Sequence, residues 1–517
     1  MSAAPAVRLE GIDKHFGAVH ANRSVDLSVA PGSVHGIVGE NGAGKSTLMA
    51  ILYGLHVADR GRILIDGTER RIRSPRDAIA AGIGMVHQHF MLVDTLSALD
   101  NVMLGAEPAW RLGPARERVR RRLGELMRQT GLRVRLDLAV EQLPLGERQR
   151  LEILKALARG ARILILDEPT AVLTPQEAAD LFASLRALKA GGTTILLISH
   201  KLREIVALCD TVTVMRAGAV VHEGPIADTS IDGLAQAMVG RRVELGRVAP
   251  QPAAGACLLR ASRLAWRDAL GVPRLDEVSL SLHAGEIVGI AGVTGNGQSE
   301  LLDALSGLLE PQSGTLELAG ESFVPGRWLT PRRARELRLA HVPEDRHRRG
   351  LVLPFAAWES AALGYQWLRR YRNGPFTDGA AMRGDTAAMM QRFDVRPPEP
   401  LRRSSAFSGG NQQKLVLARE LTHEPRVLLV GQPTRGVDIG AIEFIHGRLR
   451  ALRDAGGAVL VVSSELDEVL ALADRVLVMS GGRLAGERRV EDCSELVLGR
   501  LMGGAGKHGP TPHGAGR

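Results

Sequence analysis

Three stretches of this chain recur further along it, in the same order. "GENGAGKS" at Gly39 returns as "GVTGNGQS" at Gly292, "LPLGERQR" at Leu143 returns as "FSGGNQQK" at Phe407, and "LISHKLREI" at Leu197 returns as "VVSSELDEV" at Val461. The offset is 253 residues for the first pair and 264 for the other two, so order and spacing survive with one modest insertion. A period this long marks a duplicated domain, not a solenoid. It also fits the length: 517 residues exceed what one compact core holds.

Within each copy, short apolar runs alternate with helical patterns. "SVHGIVG" leads into a glycine loop, and "STLMAILYGL" then has helical spacing. "RILILDEP" and "TTILLISH" are unbroken apolar runs, suited to strands buried on both faces. This alternation predicts an α/β domain with a mainly parallel sheet. The opening "VRLEGIDKHFGAVHANRSVDLSVAPG" reads instead as strands and turns, an antiparallel annex. The expected organisation is a first domain over 1–242, a Pro/Ala-broken linker over 243–256, a second domain over 257–502, and a Gly/Pro-rich disordered tail over 503–517.

Composition removes several function classes. No run approaches the roughly 18 to 20 apolar residues of a spanning helix, and "MSAAPAVRLEG" lacks the pattern of a secretory signal. A cytosolic chain is expected, with membrane contact only through another protein. The three cysteines, Cys209, Cys257 and Cys493, are scattered and have no metal-type spacing. Net charge is +9, and runs such as "RERVRRRL" over 116–123 read as solvated helix faces with at most a weak pull toward anionic headgroups. Aromatic residues make up only 3%, leaving few stacking platforms, so no direct nucleic-acid partner is expected.

"GENGAGKST" has the P-loop spacing between a strand and a helix. Glycines let backbone N–H groups wrap phosphates. Lys45 is expected to reach the β- and γ-phosphates and Ser46 to hold Mg²⁺, with the helix N-terminus adding a favourable field for anions. "ILILDEP" supplies the second half. Asp167, ending a buried strand, is assigned to Mg²⁺, and Glu168 to orienting and deprotonating the attacking water. A carboxylate pair that merely caps the next helix would account for either acid alone, but not for both together with the P-loop.

These residues resemble the tandem ATP-binding subunit of an ABC importer, over nearly the whole chain. The resemblance implies two P-loop ATPase domains in tandem, each a mainly parallel sheet with helices, an antiparallel β annex and a helical subdomain. It makes "LPLGERQR" and "FSGGNQQK" the signature motifs. It makes Gln88 the Q-loop residue that senses metal, water and the membrane partner, His200 the switch residue at the γ-phosphate, and Phe16 the aromatic stacked on adenine. ATP contacts fall on Gly39, Asn41, Gly42, Gly44, Lys45, Ser46 and Thr47. His87 and His89, flanking Gln88, read as loop residues, not metal ligands.

In such proteins each ATP site joins the P-loop and acids of one domain to the signature of the other. The first site then combines Lys45, Ser46, Gln88, Asp167, Glu168 and His200 with Ser408, Gly409 and Gly410, and every role is filled. One departure is Thr174, where the D-loop Asp is usual. The second site has losses at every step. Gln298 replaces the P-loop Lys, Gly431 the metal-binding Asp and Gln432 the base. Ser464 stands at the switch position and Glu344 at the Q-loop position. Pro144 replaces the facing signature Ser, removing a hydroxyl and an N–H. Gly292, Gly295, Gly297 and Ser299 still form a loop able to cradle phosphates.

The resemblance implies an ATPase using ATP and Mg²⁺, peripheral on the cytoplasmic face of the membrane, with two transmembrane permease subunits and an extracytoplasmic solute-binding protein as partners. "GMVHQHFMLV", "DEPTAVLTPQE", "VPEDRHRRGLV" and "QPTRGVDIGAIEFIH" resemble the nucleoside branch more than the ribose or galactose one. A sugar importer of the same architecture is the alternative. Soluble tandem ATPases acting on ribosomes or DNA fit less well, because they carry two intact sites with a long charged linker, or zinc-binding cysteine sets.

Overall fold

The computed structural model describes residues 4–17, 19–87, 90–104, 113–170, 173, 175–199, 201–241, 255–292 and 295–502. The chain divides into two compact units, Met1–Val243 and Glu244–Arg517. The junction and the C-terminal tail singled out in the sequence lie largely outside the described residues.

In the first unit the apolar runs become strands of a six-stranded sheet. Val34–Gly39, Thr194–Ile198, Ile163–Asp167 and Ile83–Val86 are parallel neighbours in that order, with Thr211–Arg216 parallel on the other side and Ala219–Pro225 antiparallel at the edge. Every residue of Val34–Gly39, Ile163–Asp167 and Thr194–Ile198 is buried, as strands covered on both faces must be. The annex is a separate antiparallel sheet in which Val7–Phe16 pairs with Val19–Val29 and Arg60–Ile65. Helix Lys45–Leu52 lies in the core between the two sheets. Its Leu48, Met49, Ile51 and Leu52 pack with annex residues Leu9, Ile12 and Val25 and with Ile165 and Ile198 of the parallel sheet.

The second unit repeats this plan. Its six-stranded sheet places Leu339–Val342, Val427–Gly431, Ala458–Ser463, Ile287–Ala291 and Arg475–Ser480 as parallel neighbours, with Arg483–Arg489 antiparallel at the edge. An antiparallel annex is built on Cys257–Arg267 and Pro273–His283. Each unit also has a helical layer. It comprises Ala98–Met103, Gly113–Thr130 and Leu145–Ala158 in the first, and Ala357–Ala362, Gly379–Arg392 and Gly409–Leu421 in the second. The fold is therefore two α/β P-loop domains in tandem.

The arginine-rich run falls on helix Gly113–Thr130. There Arg116 pairs with Asp100 and Arg120 with Asp137, while Leu123 is buried, the arrangement of a solvated amphipathic face. Among the described residues no helix is long and apolar enough to cross a membrane, and no three His, Cys, Asp or Glu side chains converge as a metal site.

Candidate active site

Strand Val34–Gly39 delivers the chain to the glycine loop, and helix Lys45–Leu52 starts at its end. Gly44 caps that helix with φ 95°, a conformation L side chains rarely adopt. A Cβ there would also lie 2.3 Å from the Ala21 carbonyl oxygen. The buried Asn22 fastens the loop to the annex, its Nδ2 donating to the Gly44 carbonyl at 3.1 Å. This anchor is not visible in the motif, because it comes from the neighbouring sheet.

Lys45 is 7% exposed, and its Nζ donates to the Gly39 carbonyl at 2.7 Å and the Glu40 carbonyl at 3.0 Å. The ammonium is thus held inside the curl of the loop. The Ser46 hydroxyl lies near enough to the Asp167 carboxylate to favour its ionised form. Burial and the adjacent Glu168 push the Asp167 proton affinity up, while Lys45 and Ser46 pull it down. A hydroxyl and a carboxylate are hard oxygen donors, a set that suits Mg²⁺, which takes few protein ligands. Glu168 follows at φ 48°, its N–H bonded to the Ile198 carbonyl at 2.9 Å. Left-handed backbone at a non-glycine residue is strain that the surrounding structure must hold in place.

Phe16 ends the first annex strand, 44% exposed, edge-on to His56 with centroids 5.2 Å apart and with the Lys14 Nζ 5.5 Å from its ring. Its partner strand carries Asn22, so the aromatic and the anchor of the phosphate loop share one hairpin. Gln88, His89, Thr174 and His200 lie outside the described residues.

The second unit keeps the frame and changes the chemistry. Gly297 caps helix Gln298–Ser306 at φ 102°, and a Cβ there would meet the Arg274 carbonyl oxygen at 2.1 Å. Gln298 is as buried as Lys45, but its Oε1 accepts the Asn296 N–H at 3.1 Å and it brings no charge. Gln432 has φ 47°, and its N–H bonds the Val462 carbonyl at 2.7 Å, so the strained turn persists without the base. Its Oε1 accepts hydrogen bonds from the Ser464 N–H at 3.2 Å and the Ser464 hydroxyl at 3.1 Å. The residues at the base and switch positions are therefore tied to each other. Ser299 donates to the Glu344 carboxylate.

The two signature turns have the same backbone. Pro144 has φ −56°, ψ 153° and Ser408 has φ −62°, ψ 158°. Proline suits the position sterically but offers no cap, whereas the Ser408 hydroxyl accepts the Asn411 N–H at 3.4 Å and its Nδ2 at 2.9 Å. At the next position the 48% exposed Leu145 stands where the second copy has Gly409. A Cβ at Gly409 would meet the Gly436 carbonyl oxygen at 2.7 Å. Replacing Ser408 with Ala removes the cap and should cost about 0.5–1 kcal/mol. Thermal unfolding without nucleotide should then show a Tm lower by a few degrees. An unchanged Tm would mean the cap contributes nothing.

The ABC transporter family model matches residues 22–171 and 275–435. The guanosine import ATP-binding protein NupO of Bacillus subtilis (strain 168) is 42% identical over 96% of this chain and 97% of its own length. The nucleoside import ATP-binding protein NupA of Lactococcus lactis subsp. cremoris is 41% identical, covering 98% and 99%. The glucose import ATP-binding protein TsgD13 of Haloferax volcanii is 42% identical, covering 98% and 97%. A model of ribosome-bound archaeal Pelota and ABCE1 shares the fold at TM-score 0.64 and 19% identity, over 96% of this chain and 80% of that one. With two matched cassettes and full-length relatives, the chain belongs to the ABC transporter family, as a tandem ATP-binding ATPase subunit.

Proposed function

We propose that this chain hydrolyses ATP at one site to power import of a small polar solute, a nucleoside, through two membrane subunits supplied by a solute-binding protein. It would work peripherally on the cytoplasmic face of the membrane. The observation that carries the single-site reading is the contrast between the units. Lys45, Asp167 and Glu168 stand together with Ser46 on two adjoining turns of the first, while Gln298, Gly431 and Gln432 replace the three charged groups in the second, which keeps only the serine, as Ser299. By the resemblance, the catalytic machinery would also draw on Gln88, His200 and the signature residues Ser408, Gly409 and Gly410. Phe16 stacks on adenine, and Gly39, Asn41, Gly42, Gly44 and Thr47 surround the phosphates.

In this reading Lys45 leaves the loop carbonyls to meet the β- and γ-phosphate oxygens, and the loop N–H groups share their charge. Ser46 and Asp167, with Gln88, would hold Mg²⁺, which when bound offsets the charge of the transferred phosphoryl group. Glu168 accepts a proton from the attacking water as its oxygen bonds to the γ-phosphorus and the bond to the β-phosphate oxygen breaks, leaving ADP and phosphate. Gln432 has no basic oxygen for that proton, so the second site holds nucleotide without turnover.

The nucleoside assignment is supported by the four motif stretches quoted above and by the two relatives named for guanosine and nucleoside import. The equally similar relative named for glucose import favours a sugar as the second reading. ATPase measured with the membrane partners and binding protein in lipid separates them. Stimulation by nucleosides and not by pentoses or hexoses is the expected result. Stimulation by sugars alone would overturn the substrate, and a chain that co-purifies with no membrane partner would overturn the transport role.

A further inference from the structure

The link between the first two helices of the helical layer is longer in the second unit. It runs over 363–378 there, between helices Ala357–Ala362 and Gly379–Arg392, and over 104–112 in the first unit. The stretch 363–377, "LGYQWLRRYRNGPFT", holds Tyr365, Trp367, Tyr371 and Phe376 and the cations Arg369, Arg370 and Arg372, with no acid. In a chain with only 3% aromatic residues, that concentration calls for a physical cause. Part of the cause is a small core, in which Tyr365 and Tyr371 are buried with Ala362 and Met382 against Trp358 and Leu368. The Tyr365 hydroxyl donates to the fully buried Glu420 at 2.8 Å, which locks the base of the link to helix Gly409–Leu421.

The rest of the link lies outside that core. Arg372–Asn373 and Phe376–Thr377 pair as a hairpin, with Arg372 opposite Thr377 and Asn373 opposite Phe376. Only Gly374 and Pro375 connect them, and Gly374 takes φ 60°, so the tip is a tight loop. Phe376 is 75% exposed there, and Arg369 and Arg372 are exposed with no ion pair among the described residues. The neighbouring acids are engaged. Asp385 pairs with Arg370 at 3.2 Å, and Asp378 caps the next helix by accepting the Ala380 and Ala381 N–H groups. A stiff tip with one bare ring is too small for a specific protein interface, which takes about 800 Å² from each partner. It suits a planar anionic surface, with guanidiniums at phosphates and the ring at the acyl boundary.

We infer that this hairpin is a direct contact between the second unit and an anionic lipid surface, Phe376 entering the headgroup layer while Arg369 and Arg372 pair with lipid phosphates. This rests on the reading of the chain as peripheral on the membrane. It adds a lipid contact where the sequence assigns membrane contact to other proteins alone. The buried base holds the hairpin in place, so little ordering is lost on binding. The arginine-rich helix Gly113–Thr130 differs, since Arg116 and Arg120 pair with Asp100 and Asp137 and its sequence has no aromatic residue.

The test is flotation of the full-length chain, without membrane subunits, on vesicles of phosphatidylglycerol and phosphatidylcholine in equal parts, and on phosphatidylcholine alone. Binding to the anionic vesicles is expected, and its loss at high salt, as the Debye length falls from about 10 Å to about 3 Å. Arg369→Gln with Arg372→Gln should weaken it on the order of tenfold or more, and Phe376→Ser about fivefold or more. Arg118→Gln with Arg121→Gln removes the same charge from exposed positions of helix Gly113–Thr130 and should leave binding nearly unchanged. Thermal unfolding checks that each variant keeps the fold. No binding to anionic vesicles, equal binding to neutral ones, or unchanged binding in the hairpin variants overturns the inference. So does an equal loss in the Arg118→Gln, Arg121→Gln chain, which would mean that net charge alone attracts the protein. If the hairpin variants keep vesicle binding but release a membrane subunit, the partner is protein and the inference falls. A chain that binds vesicles through the hairpin yet co-purifies with no membrane subunit would sink the transport role and leave this contact standing.

Discussion

Glu168→Gln should bring ATP turnover down by about 10² to 10⁴-fold, close to background, with ATP binding retained. The substitution keeps side-chain length and the turn that holds it. The backbone there is already fixed at φ 48° with its N–H on the Ile198 carbonyl, and Gln432 shows that glutamine tolerates the same geometry at φ 47°. What disappears is the oxygen that takes the proton from water. The complementary change, Gln432→Glu, should add no turnover. The acid would sit beside Ser464, which donates to residue 432 and cannot act as the switch histidine. It would also follow Gly431, which has no carboxylate of its own. Steady-state phosphate release from the two variants and the parent checks both halves. Substantial turnover in Glu168→Gln would show that hydrolysis is not confined to the first site.

How much of this was legible in the sequence depends on whether the signal was local. Ile163–Asp167 and Thr194–Ile198 declared themselves as buried parallel strands because no polar residue interrupts them, and every position is buried. The phosphate loop was legible because its glycines, lysine and serine are contiguous and the loop geometry requires them. The annex was legible from its turns, although the anchor Asn22 was not, since its partner Gly44 lies outside the annex, in the phosphate loop at the start of helix Lys45–Leu52. In the sequence Pro144 signals a lost hydroxyl and N–H. Its dihedrals match those of Ser408, so the change touches chemistry and leaves the turn intact. The bond between Ser299 and Glu344 was the least accessible feature. In the sequence each residue stands only at its own motif position, Ser299 kept and Glu344 changed, 45 residues apart. Only the pairing of Leu339–Val342 with Val427–Gly431 brings the glutamate to the serine and explains why residue 431 is a glycine.

That pairing makes a stability prediction in which restoring the missing acid does harm. Gly431→Asp would place a Cβ 2.3 Å from the Glu344 Cγ and 3.0 Å from the Leu302 Cδ1, at a buried position at the end of a central strand. Overpacking of this kind costs about 1–3 kcal/mol, and a second carboxylate beside Glu344, itself near Asp303 and Glu300, adds repulsion. A total loss of about 2–3 kcal/mol is expected, which for a unit of this size lowers Tm by about 2–4 °C per kcal/mol. Glu344→Ala removes the obstructing chain and the competing charge. The double variant should therefore be more stable than Gly431→Asp alone, with a coupling of at least about 1 kcal/mol, within the range found for residues in contact. Denaturant unfolding of the four chains measures this directly. Simple addition of the two single effects would mean that Gly431 and Glu344 are independent. Coupling of the expected sign would show that the absence of a side chain at Gly431 is what makes room for Glu344.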